Sequence, residues 1–198
     1  MNFTRRNILA YAAIAGASLS PGRGFASAIS NPAAIALERA KATLERVGAR
    51  VPEHDVAAVI DFSLASRYPR FHLLNLVDGN IATLLVAHGR GSDPAHSGWL
   101  QRFSNLPGSE ATSNGAYLTG PSYIGKHGLS RRLIGLDSDN DQAESRAIVI
   151  HAADYVGASI IRQQGKLGRS QGCFALQPGD LPRIMEQLGP GRLLLAHR

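Results

Sequence analysis

Two short apolar runs, Phe71 to Leu76 and Ile81 to Ala87, flank Val77-Asp78-Gly79-Asn80, and this pairing narrows the possible folds more than any other feature. Each run is too short for a stable helix, and Asp-Gly favours the left-handed torsions of a tight turn, so the segment is expected to form a β-hairpin. The same grammar of short apolar segments and Gly, Ser, Pro or Asn punctuation continues downstream. Gly89 to Gly128 is expected to run as loops between short strands such as Tyr117-Leu118-Thr119. Arg146-Ala147-Ile148-Val149-Ile150 is largely apolar and β-branched, follows the polar Asp137 to Asp141 turn, and delivers His151 at its C-terminal end. Val56 to Leu64 fits strand or helix, with the strand taken as the opening of the sheet, and Arg192 to Ala196 forms a last strand. Helical spacing is confined to two places. Asn31-Pro32 caps and starts a helix that places Ala33, Leu37, Ala40, Leu44 and Val47 at helical intervals up to Gly48. Asp180-Leu181-Pro182 starts another that runs through Leu188 and stops at Gly189-Pro190, while the stretch between, with Gly157, Gly165 and Gly168, is expected to be loop. The sum is a mainly β domain, sandwich-like, with peripheral α-helices.

The N-terminus does not belong to that domain. Thr4-Arg5-Arg6-Asn7-Ile8-Leu9 joins two arginines to an apolar run too short to span a bilayer comfortably, and the small-x-small sequence Ala26-Ser27-Ala28 follows. Residues 1–28 are therefore expected to be a twin-arginine-type export signal, with an uncleaved anchor helix as the alternative; either places residues 29–198 outside the cytoplasm. Those 170 residues suit a single domain. Loss of Arg5, Arg6 and Arg23 lowers the formal charge from +6 to +3. That is too mild to argue for nucleic acid and compatible with an anionic wall.

An oxidising compartment favours paired cysteines, yet this chain has one, Cys173. Such a thiol is either buried and inert or chemically employed, and its neighbours must decide. A free thiol is only about 3% ionised at neutral pH, so a nucleophilic cysteine needs an imidazole or a comparable positive environment. His151, 22 residues upstream at a strand end, is the best-placed supplier. Gly172 lets a substrate carbonyl approach backbone N–H groups, including that of Cys173, that would form an oxyanion hole.

His151 with Ser170-Gln171-Gly172-Cys173 resembles the His…Ser-x-Gly-Cys signature of L,D-transpeptidases with a YkuD-type catalytic domain. Thr112-Ser113-Asn114-Gly115-Ala116-Tyr117 is similar to that family's Thr-Pro-x-Gly-x-Phe segment. Tyr123-Ile124-Gly125-Lys126-His127-Gly128, Leu133-Ile134-Gly135-Leu136 and Gly168-Arg169-Ser170 through Leu176 resemble the murein L,D-transpeptidase catalytic-domain branch, so the likeness covers roughly Phe71 to Leu176. It departs at Gln171, where the wider family has a second His, at Ala152 in place of Gly, and in lacking an Arg soon after Cys173.

The resemblance implies a mainly β, sandwich-related fold and acyl transfer on peptidoglycan stem peptides, with Cys173 as nucleophile, His151 as base and the carbonyl of Ala152 orienting the imidazole. Gly172, Ser170 and Gln171 are expected around the oxyanion and the turn, with Ser170 bonding within that turn rather than acting as a nucleophile. Tyr123, Lys126, His127 and Arg169 are the candidate substrate contacts. No cofactor or metal is expected, since His151-Ala152-Ala153-Asp154 offers no second histidine on the same turn and the zinc-hydrolase alternative lacks ligand spacing. An L,D-carboxypeptidase using the same site and a non-catalytic wall-binding module stay open at this point.

Overall fold

The ambiguity of Val56 to Leu64 resolves as a strand buried on both faces. In β1 (Val56–Asp61), Ala58 and Ile60 turn into the main core while Ala57 and Val59 turn the opposite way beneath a helix. Two-sided burial removes the polar alternation that would identify a strand from sequence. The computed structural model describes residues 31–198; the expected signal over 1–28 lies outside the described residues. The covering helix, α1 (Pro32–Val47), begins where expected: Asn31 Oδ1 accepts from the Ala33 amide at 3.0 Å. It lays Ala36, Ala40, Leu44 and Val47 on β1 and on β9 (Leu193–His197), whose Leu193 and Leu195 face it while Leu194 and Ala196 enter the main core.

The expected hairpin is present as β2 (Phe71–Asn75) and β3 (Ile81–Leu84), antiparallel with Leu74 opposite Ile81. Its connection is longer than the tightest turn. Only Gly79 is left-handed (φ +76°), and Asn75 Oδ1 holds the amides of Val77 and Asp78.

Leu85 alone separates β3 from β4 (Val86–Ala87), yet the two strands end opposite edges of the sheet. With β5 (Gly115–Gly125), β6 (Gly128–Gly135), β7 (Val149–Ala152) and β8 (Phe174–Leu176), the order is β3-β2-β1-β9-β5-β6-β7-β8-β4. Because the edge strands are consecutive in the chain, the nine-stranded sheet bends until its ends nearly meet. It encloses Ile60, Phe62, Phe71, Tyr117, Ile150 and Phe174.

Several boundaries differ from the sequence reading. The loops expected over Gly89 to Gly128 stop at Asn114, and β5 and β6 form a long hairpin whose outer half carries exposed residues. That half projects beyond the core, so no apolar face marks it; Gly128 (φ +72°) closes its turn and Arg132 lies over the Tyr123 ring at 4.4 Å. The strand expected from Arg146 begins only at Val149, since Ala147 is left-handed (φ +51°) and the Ile148 amide turns back to Ala143 O. The segment expected as loop contains α2 (Ala158–Gln164), a short helix ended by left-handed Gly165. Helix α3 (Leu181–Gln187) forms as expected, but the Asp180 side chain makes no capping bond.

Candidate active site

Strand alternation decides where the two candidate reactive side chains point. In the parallel ladder of β7 and β8, Ile150 stands opposite Phe174 and both enter the core. Their neighbours His151 and Cys173 therefore face the other way; His151 pairs with Ala175, so Cys173 is offset by two residues, which sets the two Cα atoms roughly 8 Å from each other. Both line one cleft of about 670 Å³, together with Arg146, Tyr155, Ser170 and Gln171. Cys173 retains 9% of its surface and is the one cysteine of the chain.

The turn that presents Cys173 is tied from both sides. Ser170 Oγ donates to Cys173 O at 2.6 Å and accepts from the Gly172 amide at 3.1 Å, so its hydroxyl is spent within the turn. Gly172 has φ +119°, and a Cβ there would stand 2.8 Å from Ile148 Cδ1 and 2.9 Å from Ala111 O. Only glycine fits. On the other side, the Ser170 amide donates to His88 O, the Arg90 amide to Ser170 O, and Thr112 Oγ1 to Gly172 O at 3.1 Å. Gly89 packs on this turn so closely that a Cβ would meet Gly172 at 2.8 Å.

Behind that brace lies a buried polar cluster whose members no local motif groups together. Arg70, wholly buried, donates to Leu64 O, to Val86 O and to His88 Nδ1 at 2.8 Å. Burial and the Arg70 charge push His88 down to about 3, so its imidazole is neutral although Asp93 Oδ2 lies 3.5 Å from Nε2.

His151 Nδ1 meets Ala152 O at 2.8 Å. A carbonyl only accepts, so Nδ1 carries the proton and Nε2 keeps its lone pair for the cleft. His127 stacks on this ring, with centroids 4.3 Å apart and planes 20° from parallel. Burial pushes His151 below the ordinary imidazole value, opposed by the Ala152 carbonyl and reinforced by His127. Burial likewise pushes the Cys173 thiol up, against the pull of the Val149 amide, Arg146 and its own amide. Thiol and imidazole are thus both neutral at rest, and the thiol lies 3.6 Å from Ala147 O, a partner that suits S–H. A neutral thiol and a neutral imidazole lining one cleft are the groups that proton-coupled attack on a carbonyl would need.

The remaining candidates scatter around the rim. Tyr123, Lys126 and His127 lie on the β5–β6 hairpin and line the cleft. Arg169 also lines it but turns its guanidinium to the carbonyls of Asp93 and Pro94. Gln171 is exposed at the mouth. Of the lining residues that escaped the sequence reading, two bear on the chemistry. Tyr155, pushed up to about 12 by burial and by the Cys173 charge, looked like loop. Arg146 looked like the start of a strand, yet it reaches Ser104 O at 2.8 Å, Ala111 O and Ser109 Oγ. Its only sequence signal was a charge heading an apolar run.

Among the described residues no group of three or more His, Cys, Asp or Glu is placed to hold a metal ion, and no helix is long and apolar enough to cross a membrane. The family model of the L,D-transpeptidase catalytic domain matches residues 30–197. Among solved structures, an L,D-transpeptidase from Mycobacterium smegmatis shares 13% identity over 73% of this chain and 59% of its own, with a TM-score of 0.42. One from Mycobacterium tuberculosis H37Rv shares 13% over 73% and 58%, with a TM-score of 0.45. The helical cell shape determining protein Pgp2 from Campylobacter jejuni shares 14% over 80% and 55%, with a TM-score of 0.44. The chain spans little more than half the length of these proteins. None of the curated proteins matches it.

Proposed function

The chain belongs to the YkuD-type L,D-transpeptidase catalytic-domain family, and from that premise we propose that it is an exported cysteine acyltransferase acting on peptidoglycan tetrapeptide stems. The observation that carries this reading is the shared cleft of Cys173 and His151, with Nδ1 occupied by Ala152 O and Nε2 left as the base.

Cys173 Sγ attacks the carbonyl carbon at the L-centre of the third stem residue while its proton passes to His151 Nε2. The C–S bond forms, the C–N bond to the terminal D-Ala breaks, and His151 returns the proton to the leaving amine. The Cys173 amide is the proposed donor to the oxyanion, since the Gly172 amide is already bonded to Ser170 Oγ. An amine of a second stem then attacks the thioester; its C–N bond forms, C–S breaks and the proton goes back to sulfur, leaving a 3-3 cross-link. Water in place of the amine makes the same site an L,D-carboxypeptidase. The domain works outside the cytoplasmic membrane, in the periplasm or at the wall, with stem peptides rather than nucleic acid as its partners. Tyr123, Lys126, His127 and Arg169 are proposed to contact the stem.

Incubating the protein and its Cys173→Ala variant with tetrapeptide muropeptides tests this. Cross-linked dimers that require Cys173 support transpeptidation, and tripeptides that require it assign carboxypeptidase activity. Identical product profiles with and without the thiol would remove the enzymatic reading in favour of a wall-binding module.

A further inference from the structure

Gln171 stands where the wider family places a second His, so the residue before Gly172-Cys173 brings no positive charge to the nucleophile. The groups around the thiol narrow the alternatives. His151 is held neutral by burial, and Tyr155 is a neutral phenol far above its ordinary value. Arg90 and Glu110 bond each other at the rim and offset one another. Arg169 is turned to the carbonyls of Asp93 and Pro94, while Lys126 and His127 ride on the exposed tip of the β5–β6 hairpin.

Arg146 is different. Its guanidinium is fixed by Ser104 O, Ala111 O and Ser109 Oγ, half-buried, and Nη2 lies 3.3 Å from the point where a Gly172 Cβ would stand. The clamp also explains the break at Ala147. Left-handed backbone there turns Arg146 back towards the 104–111 loop instead of letting it continue along β7.

We propose that Arg146 is a positioning residue for the nucleophile, its guanidinium clamped beside Gly172 so that a fixed positive charge stabilises the thiolate of Cys173 where Gln171 supplies none. The inference rests on Cys173 being the nucleophile. The interaction runs both ways: the Arg146 charge favours the thiolate, and the thiolate favours the guanidinium. A rigid cation close to a partly desolvated sulfur acts without reorganising as charge develops.

The test is the pH dependence of iodoacetamide alkylation of Cys173 in the full chain, with Arg146→Gln and Arg146→Lys variants and near-UV circular dichroism as the check on folding. Arg146→Gln is expected to move the alkylation midpoint about one pH unit to the alkaline side, a roughly tenfold loss of rate at pH 7, and Arg146→Lys to restore most of it. Coincident midpoints in folded Arg146→Gln and parent protein overturn the proposal. Should Arg146→Gln fail to fold, the unmodified chain decides: the Arg146 Nε resonance must titrate with the alkylation midpoint and stay flat in Cys173→Ala. A resonance flat in both refutes the coupling. A thiol that resists alkylation up to pH 10 sinks the nucleophile reading as well, whereas a reactive thiol with an unmoved midpoint sinks only the role of Arg146.

Discussion

Replacing Gly172 with alanine probes the turn that presents Cys173 at its tightest point. The residue has φ +119°, outside the region that L-residues adopt without strain, which costs about 1–3 kcal/mol. The new methyl would also sit 2.8 Å from Ile148 Cδ1 and 2.9 Å from Ala111 O. Ile148 can rotate, but Ala111 O is backbone that also accepts from Arg146, so relieving that contact pushes on the Arg146 clamp. Overpacking of this kind adds about 1–3 kcal/mol. The sum, about 2–6 kcal/mol, corresponds to a fall in Tm of roughly 5–20 °C for a domain of this size. Gly165→Ala is the control. It is also left-handed (φ +72°) but has no atom near the added Cβ, and should cost only about 1 kcal/mol. Urea unfolding gives the stability difference, and iodoacetamide alkylation at fixed pH shows whether the thiol has moved. A Gly172→Ala protein no less stable than Gly165→Ala, with unchanged alkylation, would refute the claim that backbone geometry at Gly172 sets the position of Cys173.

Ser170→Ala should cost about 1–3 kcal/mol and loosen the thiol, because it strands the buried Cys173 carbonyl and Gly172 amide; urea midpoints and alkylation rate measure both. Acid should destabilise the fold well above the carboxylate range. His72, His88, His151 and His197 are all held below their ordinary value, first by burial, so the unfolded chain takes up protons from about pH 6.5 downwards while the folded chain does not. Their stability is fully present above that value and lost as pH falls, His88 continuing to about 3. Between pH 7.5 and 5 His88 alone should remove about 2 kcal/mol, read as a lower urea midpoint; an unchanged midpoint would show that it titrates normally. His127→Ala removes a neighbour that lowers His151, so the acid limb of a turnover-against-pH profile should shift upwards.

Local chemistry carried much of this protein. Asn31-Pro32 placed a helix start, the two runs around Asp78-Gly79 placed a hairpin, and Gly172-Cys173 with a strand-borne His151 pointed to a thiol–imidazole site. These signals are local: a cap, a left-handed torsion or an alternating strand depends on residues a few positions apart. Failures came where a local pairing leaves no apolar pattern, or where contacts are distant. The outer half of β5 and β6 pairs with itself beyond the core, leaving no apolar stripe to read. Arg146 was indistinguishable from a strand residue until Ser104, Ser109 and Ala111, some 35–42 positions upstream, closed on it.

The sequence by itself determined which side chains are able to do chemistry and part of the secondary structure that carries them, because side-chain identity and short-range spacing are written one residue at a time. Tertiary structure decided their state. Burial leaves both thiol and imidazole neutral, the Ala152 carbonyl selects the tautomer, and Arg146 enters the cleft, since desolvation and charge proximity exist only once β7, β8 and the 104–111 loop have been brought together.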